Sequence, residues 1–275
     1  MEAMVAERED VAYEMPDFEG EFDCSRKYPD ACYKAYMDAF VPNVAPRRFY
    51  RFIKRSFDIL LSALLLILFS PVFVFIAVAI KCDSKGPILF KGKRMGKNGK
   101  EFVCYKFRTM SVDAPSACAT SLLANPEQYQ TKLGRQLRRF SLDELPQLWC
   151  VLIGKMSFIG YRPLVLTEEN CHEMRKELNV YSVRPGISGY AQVHGRDNVY
   201  YKNKAIMDSI YVNKASLSMD WKLLLQTVSV VLKRKGNDAE KHQNASRLLC
   251  LIIVLMKKIL AWYLLLCQII TVEII

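Results

Sequence analysis

Ile59-Leu-Leu-Ser-Ala-Leu-Leu-Leu-Ile-Leu-Phe-Ser70-Pro71-Val-Phe-Val-Phe-Ile-Ala-Val-Ala-Ile80 is a run of 22 residues without a formal charge. It is just long enough to cross the hydrocarbon core of a bilayer, and it starts too late to be a signal peptide. Pro71 sits at its middle, where a proline lacks an N–H and clashes with the carbonyl four residues back, so a kink is expected there. Arg47, Arg48, Arg51, Lys54 and Arg55 precede the run, and Lys81, Lys85, Lys91, Lys93 and Arg94 follow it. With basic residues on both flanks, the positive-inside rule gives no vote for crossing. Two readings fit best, a kinked transmembrane helix or a helix that bends at Ser70-Pro71 and returns to the face it entered; a buried soluble helix is a poor third, given the basic flanks. The second requires Ser70 or its neighbours to satisfy the freed carbonyls.

Charge is uneven on either side of this segment. The chain of 275 residues carries a formal net charge of +11, yet its first 30 residues hold ten acids against three bases, −7, which leaves +18 on the rest. This implies an acidic, mobile leader and a body that seeks anions. Nine cysteines without paired spacing and only three histidines suggest neither a disulfide framework nor a zinc site. Reduced thiols facing the cytosol are the simpler reading.

Downstream, Pro87 to Met110 reads as two strands about the Asn98-Gly99 turn signal. Period two places Lys106 and Arg108 on one face, either as a solvated surface or as an anion contact. Ala114 to Gln130 reads as a connector. Then comes Arg138-Arg139-Phe-Ser-Leu-Asp143-Glu144-Leu-Pro-Gln-Leu-Trp149, two carboxylates behind two arginines at an expected helix start. Arg135, Arg138 and Arg139 can screen a phosphate, a helix N-terminus adds N–H donors, and the same field would keep Asp143 ionised as a nucleophile must be. A capping box, with Ser141 as N-cap and Glu144 at the third helical position, explains the same residues without chemistry.

Two later loops, Gly154 to Pro163 and Val183 to Arg196, set Gly and Pro beside Arg162, Arg184 and Arg196. Glycines permit close backbone approach and arginine forks match phosphate oxygens, so these loops suit a diphosphate; plain turns are the alternative. Neither a Walker motif nor a dinucleotide glycine fingerprint occurs. Thr167 to about Val180 reads as a polar helix. Ser218 to Lys235 reads as an amphipathic helix with Ser218 as N-cap, its apolar side (Trp221, Leu224, Leu225, Val228, Leu232) turned to the core in preference to lipid. Leu248 to Ile275 is hydrophobic but interrupted by Lys257-Lys258, and a surface anchor is the expectation.

Taken in order, the Ser-Pro segment, Lys106-Phe-Arg-Thr-Met110, Arg139 to Trp149, Met156-Ser-Phe-Ile-Gly-Tyr-Arg-Pro163 and Arg184-Pro-Gly-Ile-Ser-Gly-Tyr-Ala-Gln192-Val-His-Gly-Arg196 strongly resemble the bacterial sugar transferases. These are monotopic polyprenyl-phosphate phosphoglycosyl transferases that start exopolysaccharide, O-antigen or glycoprotein glycan assembly. The likeness covers about Arg51 to Gly236. It implies an α+β monotopic membrane protein, with an N-terminal re-entrant helix and a small cytosolic globular domain of helices plus a β-hairpin. The division would be a leader at 1–46, a basic flank and re-entrant helix at 47–82, a catalytic domain at 83–236, and a linker and hydrophobic tail at 237–275.

The reaction the resemblance implies moves a sugar-1-phosphate from a UDP-sugar to polyprenyl (undecaprenyl) phosphate, releasing UMP and requiring Mg2+. By motif position Asp143 corresponds to the nucleophile and Glu144 to its magnesium-associated partner. Lys106, Arg108, Arg138, Arg139, Arg162, Arg184, Gln192 and Arg196 are candidates for substrate contacts. Ser70-Pro71 matches the family's re-entrant break, which favours that topology at the bacterial inner membrane, with the catalytic domain facing the cytosol. Expected partners are the two substrates, inner-membrane lipids and downstream glycosyltransferases, and not nucleic acid. The chain departs from the family at Tyr161 (usually proline), Tyr190 (usually tryptophan) and His194 (usually asparagine). A catalytically silent membrane scaffold for glycan assembly is the alternative, against which the intact dyad argues.

Overall fold

The computed structural model describes residues 30–40, 48–114, 126–194 and 200–233. Helix α2, Arg48–Leu68, and helix α3, Ser70–Asp83, meet at Phe69 with a bend of 59°. Pro71 opens α3, where its missing N–H would have met Ile67 O in a continuous helix, and the Ser70 hydroxyl donates to that same oxygen at 2.8 Å. The Ser-Pro pair therefore both makes the break and repairs its cost. Among the described residues no single helix is long and apolar enough to cross a membrane; α2 and α3 meet that test only as a bent pair.

The outer faces of the pair carry exposed Leu60, Leu64, Ile67, Val74, Phe75 and Val78. The inner face of α3 packs Val72, Ile76 and Ile80 with Phe107 and Leu137. The first half of α2 is riveted to the globular part by polar contacts. Tyr50 Oη and Lys54 Nζ donate to Asp220 Oδ2 at 2.7 and 2.8 Å, and buried Asp58 accepts from Ser157 Oγ and Phe158 N at 3.1 Å each.

Strands β1, Leu89–Met95, and β2, Glu101–Phe107, pair antiparallel from Leu89↔Phe107 to Met95↔Glu101. The expected turn joins them: Asn98 and Gly99 both take left-handed φ, 58° and 68°. Helices α4, Lys132–Arg139, and α5, Gln147–Leu152, lead to strand β3, Ser157–Ile159, which pairs in parallel with β4, Gly186–Ser188. Between those strands lies α6, Glu169–Glu177, and after them α7, Tyr190–His194, α8, Tyr201–Lys214, and α9, Leu217–Lys233. The main core gathers side chains such as Phe102, Val151, Met156, Ile159, Leu178, Ile206 and Leu223.

Three expectations are corrected. Residues 30–39 of the acidic leader are not unstructured: they form helix α1, Asp30–Ala39, with Cys32 and Tyr33 buried in the main core and Tyr33 Oη donating to Asn203 Oδ1 at 2.6 Å. Helix α9 starts one residue early, its first turn held by Ser216 Oγ accepting from Met219 N at 3.2 Å, so Ser218 is not the cap. Its most buried residue is Leu223, and Leu224 packs against the core as expected, while Trp221 and Leu225 are 56% and 55% exposed, because polar Asp220 and Thr227 find partners inside; the side chains of Val228 and Leu232 lie outside the described residues. The hydrophobic tail and the first 29 residues lie outside the described residues.

Candidate active site

Asp143 and Glu144 lie on one 3₁₀ turn, Leu142–Glu144, between α4 and α5. Ser141 before it is left-handed, φ 55° and ψ 22°, and makes no side-chain cap bond. An N-cap needs extended backbone, so the capping box does not form. Helix α5 begins only at Gln147, after Pro146. Cationic side chains, rather than a helix start, therefore surround the dyad.

Glu144 is clamped. Its Oε1 accepts from Lys106 Nζ at 2.6 Å and from Arg162 Nη2 at 3.4 Å, with the side chain 19% exposed. Burial works against its charge, but Arg162 and Lys106 outweigh burial and hold its carboxyl at about 2. Asp143 behaves oppositely. Burial pushes its carboxyl up and the adjacent Glu144 adds to that, with Lys106 and Arg138 only partly offsetting them. Desolvation thus sets the direction at Asp143, while the cations prevail at Glu144.

Two second partners aim these cations. Arg138, on the last turn of α4, donates from Nε to Thr109 Oγ1 at 2.8 Å. The Arg162 carbonyl accepts from Arg175 Nη1 at 3.0 Å, and Arg175, fully buried, pairs with Asp208 and lies 5.2 Å from the centre of the Tyr161 ring. Thr109, Arg175 and Asp208 were not singled out from the sequence. Asp208 did leave a signal, as one acid inside the apolar run Ala205 to Val212, which calls for a buried partner.

The other candidates divide. Arg139 lies 6.0 Å from the ring of its neighbour Phe140. Arg108 is buried elsewhere: its Nη1 donates to Lys85 O and its Nη2 to Ser84 O and Oγ, at 2.7 and 2.9 Å, tying the end of β2 to the exit of α3. Alternation breaks at Phe107, which is itself buried, so Arg108 and Lys106 do not share a solvated face. Arg184 donates from Nε to Gly154 O at 2.9 Å, beyond the far end of α5 from the dyad. Gln192 donates to Ile187 O at 2.9 Å, and its buried Oε1 has no hydrogen-bond partner among the described residues. Arg196 lies outside the described residues.

The loop glycines also serve the protein rather than a ligand. A Cβ at Gly160 would stand 2.3 Å from Arg184 O, and one at Gly189 would stand 1.8 Å from Gly160 O. The two motif loops pack backbone to backbone. Tyr190 and His194, both departures from the family pattern, stack on each other at 4.2 Å.

For a metal, no three His, Cys, Asp or Glu side chains converge among the described residues. Two adjacent carboxylates still fit Mg2+, which takes one or two protein carboxylates and completes its shell with water and substrate phosphates.

The family model described as bacterial sugar transferase matches residues 49–234, and the chain belongs to that family. It is 39% identical over 200 residues to an uncharacterised sugar transferase of Haemophilus influenzae, 68% of this chain and 42% of that one. It is 36% identical over 212 residues to the undecaprenyl-phosphate galactose phosphotransferase of Salmonella typhimurium, 71% of this chain and 44% of that one. It is 34% identical over 198 residues to the exopolysaccharide production protein ExoY of Rhizobium meliloti, 67% of this chain and 87% of that one. The chain thus spans less than half the length of the first two relatives and most of the third.

Proposed function

We propose that this protein transfers a sugar-1-phosphate from a UDP-sugar to polyprenyl phosphate, through a covalent intermediate on Asp143. The observation that carries the reading is the unequal treatment of two neighbouring carboxylates, Glu144 pinned as an anion between Lys106 and Arg162 and Asp143 buried beside them. Relatives named as undecaprenyl-phosphate sugar phosphotransferases support the substrate class.

In this reading an Asp143 carboxylate oxygen attacks the sugar-bearing phosphorus. The bond from that phosphorus to the bridging oxygen breaks, and UMP leaves with the oxygen and its electron pair. An oxygen of polyprenyl phosphate then attacks the same phosphorus and the aspartyl oxygen departs, restoring Asp143. Lys106, Arg138 and Arg162 supply positive charge where the phosphoryl oxygens gather it, and Glu144 keeps Lys106 and Arg162 in place. Desolvation makes Asp143 more basic and so a stronger nucleophile once ionised. Mg2+, held by Asp143 and Glu144 together with the diphosphate, would add further charge neutralisation.

The bent α2–α3 pair enters the bacterial inner membrane and returns, leaving both flanks and the dyad on the cytosolic side where the lipid phosphate is presented. Intact-mass spectrometry of the detergent-solubilised protein with UDP-sugars, without acceptor and after a short quench, should show one added sugar-phosphate and matching UMP. Turnover by a strictly ternary kinetic pattern, with no adduct from any UDP-sugar, would overturn the covalent route.

A further inference from the structure

Away from the dyad, four cations gather. Arg51 and Arg55 lie one helical turn apart on α2. Arg55 donates from Nη1 to Val151 O and from Nη2 to Leu152 O, each at 2.7 Å, and Arg184 reaches Gly154 O. A Cβ on Gly154 would lie 3.1 Å from Arg55 Nη2, so both guanidinium groups converge on the turn that ends α5. The hairpin-tip turn Lys97–Gly99 packs against the turn Val180–Ser182, two residues before Arg184, and brings Lys97 to the same place. Lys97 is half-buried, and burial first, then Arg184 and Arg51, push its ammonium below the usual lysine range.

Little on the protein answers this charge. Asp58 faces Arg55 and answers part of its charge, an interaction it shares with Lys54. Carbonyl dipoles at the end of α5 satisfy donors of Arg55 and Arg184 without cancelling their charge. The side chains of Arg51 and Lys97 make neither a hydrogen bond nor an ion pair among the described residues. Like charges held together, with Arg55, Lys97 and Arg184 partly buried and Arg51 exposed beside them, call for an anion between them. The place also says which anion: Phe49 and Phe52, 77% and 72% exposed, flank Arg51 on the helix that leads into the apolar pair. Aromatic rings beside cations at the foot of a membrane element mark the headgroup level.

We propose that Arg51, Arg55, Lys97 and Arg184 hold the headgroup phosphate of an anionic phospholipid, pinning the foot of α2 at the membrane surface. The inference rests on the reading of α2–α3 as membrane-inserted. This lipid is not the acceptor. Six residues of strand separate Lys106 from the hairpin tip, about 20 Å at 3.3 Å per residue, and α5 lies between the cluster and the dyad. Its role would be to fix the height and tilt of the dyad over the bilayer.

The test compares the wild type with the double variant Arg51→Gln, Lys97→Gln, which leaves the two α5-capping arginines in place. Thermal unfolding is followed in nanodiscs of phosphatidylcholine and of phosphatidylcholine with about 30% phosphatidylglycerol. We expect phosphatidylglycerol to raise the wild-type Tm by about 4 °C and to leave the double variant unmoved, with equal Tm values in phosphatidylcholine. Lys97→Gln alone should lose part of the increment. An equal increment in both proteins, or none in the wild type, overturns the proposal. So does stabilisation by millimolar inorganic phosphate in detergent without a phosphatidylglycerol effect, which would make this a soluble-anion site. A chain that does not co-float with phosphatidylcholine vesicles overturns the membrane reading and this inference with it; flotation without the increment overturns this inference alone.

Discussion

Glu144→Gln removes the most heavily stabilised charge of the candidate site, and its cost can be worked from the structure. Lys106 and Arg162 lower the Glu144 carboxyl from an ordinary 4.5 to about 2, a difference worth about 3 kcal/mol at neutral pH at ~1.4 kcal/mol per unit. Because the folded-state value is depressed, the contribution is complete above 4.5 and lost as pH falls toward 2. At pH 3 about half of it should remain. Urea unfolding of the detergent-solubilised protein, read by tryptophan fluorescence, should therefore show Glu144→Gln destabilised by about 3 kcal/mol at pH 7 and by about half that at pH 3. Combining it with Lys106→Met should recover about 1–2 kcal/mol of coupling, since the 2.6 Å contact is then counted once rather than twice. A penalty independent of pH, or below about 0.5 kcal/mol at pH 7, would refute the clamp. Turnover should fall as well, because Lys106 and Arg162 lose the anion that aims them.

Asp143→Asn should abolish turnover, by on the order of a thousand-fold or more, and yet raise the Tm at pH 7. Burial raises the folded-state carboxyl, so the charged form costs stability above that value, and the gain should disappear as pH falls through it toward 3.8; a variant less stable than wild type at pH 7 would refute the burial argument. Arg108→Met should destabilise the fold by about 2–4 kcal/mol through the lost ties to Ser84 and Lys85 while leaving KM for UDP-sugar near wild type, and a raised KM in a stably folded variant would return Arg108 to the substrate site. Replacing Ser70 and Pro71 together by leucine should straighten the helix pair and move a fraction of molecules to a spanning topology with reduced activity, as reported by single-cysteine labelling at positions 47 and 85 with an impermeant reagent. Unchanged topology and activity would remove the break from the mechanism.

Local chemistry was the part of this molecule that could be read in advance. Pro71 lacks an N–H whatever surrounds it, Ser70 is the nearest hydroxyl that can reach the orphaned carbonyl, and Asn98-Gly99 tolerates left-handed backbone in any context. What could not be read was which acceptor each arginine would meet. Arg108 has the fork that suits phosphate, but a fork suits two carbonyls equally well, and tertiary contact delivered Lys85 O and Ser84 O. Helix α1 was hidden for a related reason: Cys32, Tyr33, Tyr36 and Met37 make an apolar stripe, but the surrounding acids dominate the local composition, and the partners Asn203 and Ser209 lie far along the chain. The rotation of α9 likewise depends on Asp220 finding Tyr50, Lys54 and Tyr211.

The dyad shows how two residues of nearly the same chemistry come to differ. Neighbours on one 3₁₀ turn point in different directions, so a single backbone step separates the reach of Lys106 and Arg162 from the desolvated position. The asymmetry is held from outside the turn. Arg162 takes its place from Arg175, whose charge is buried and answered by Asp208, so an ion pair on α6 and α8 sets where a cation meets Glu144. Truncating either partner leaves an uncompensated buried charge, which destabilises strongly. The conservative change Arg175→Lys keeps the charge but loses the second donor to the Arg162 carbonyl, and it should therefore lower kcat more than it lowers Tm. If Arg175→Lys lost stability and activity in proportion, the pair would be holding the core together without aiming Arg162.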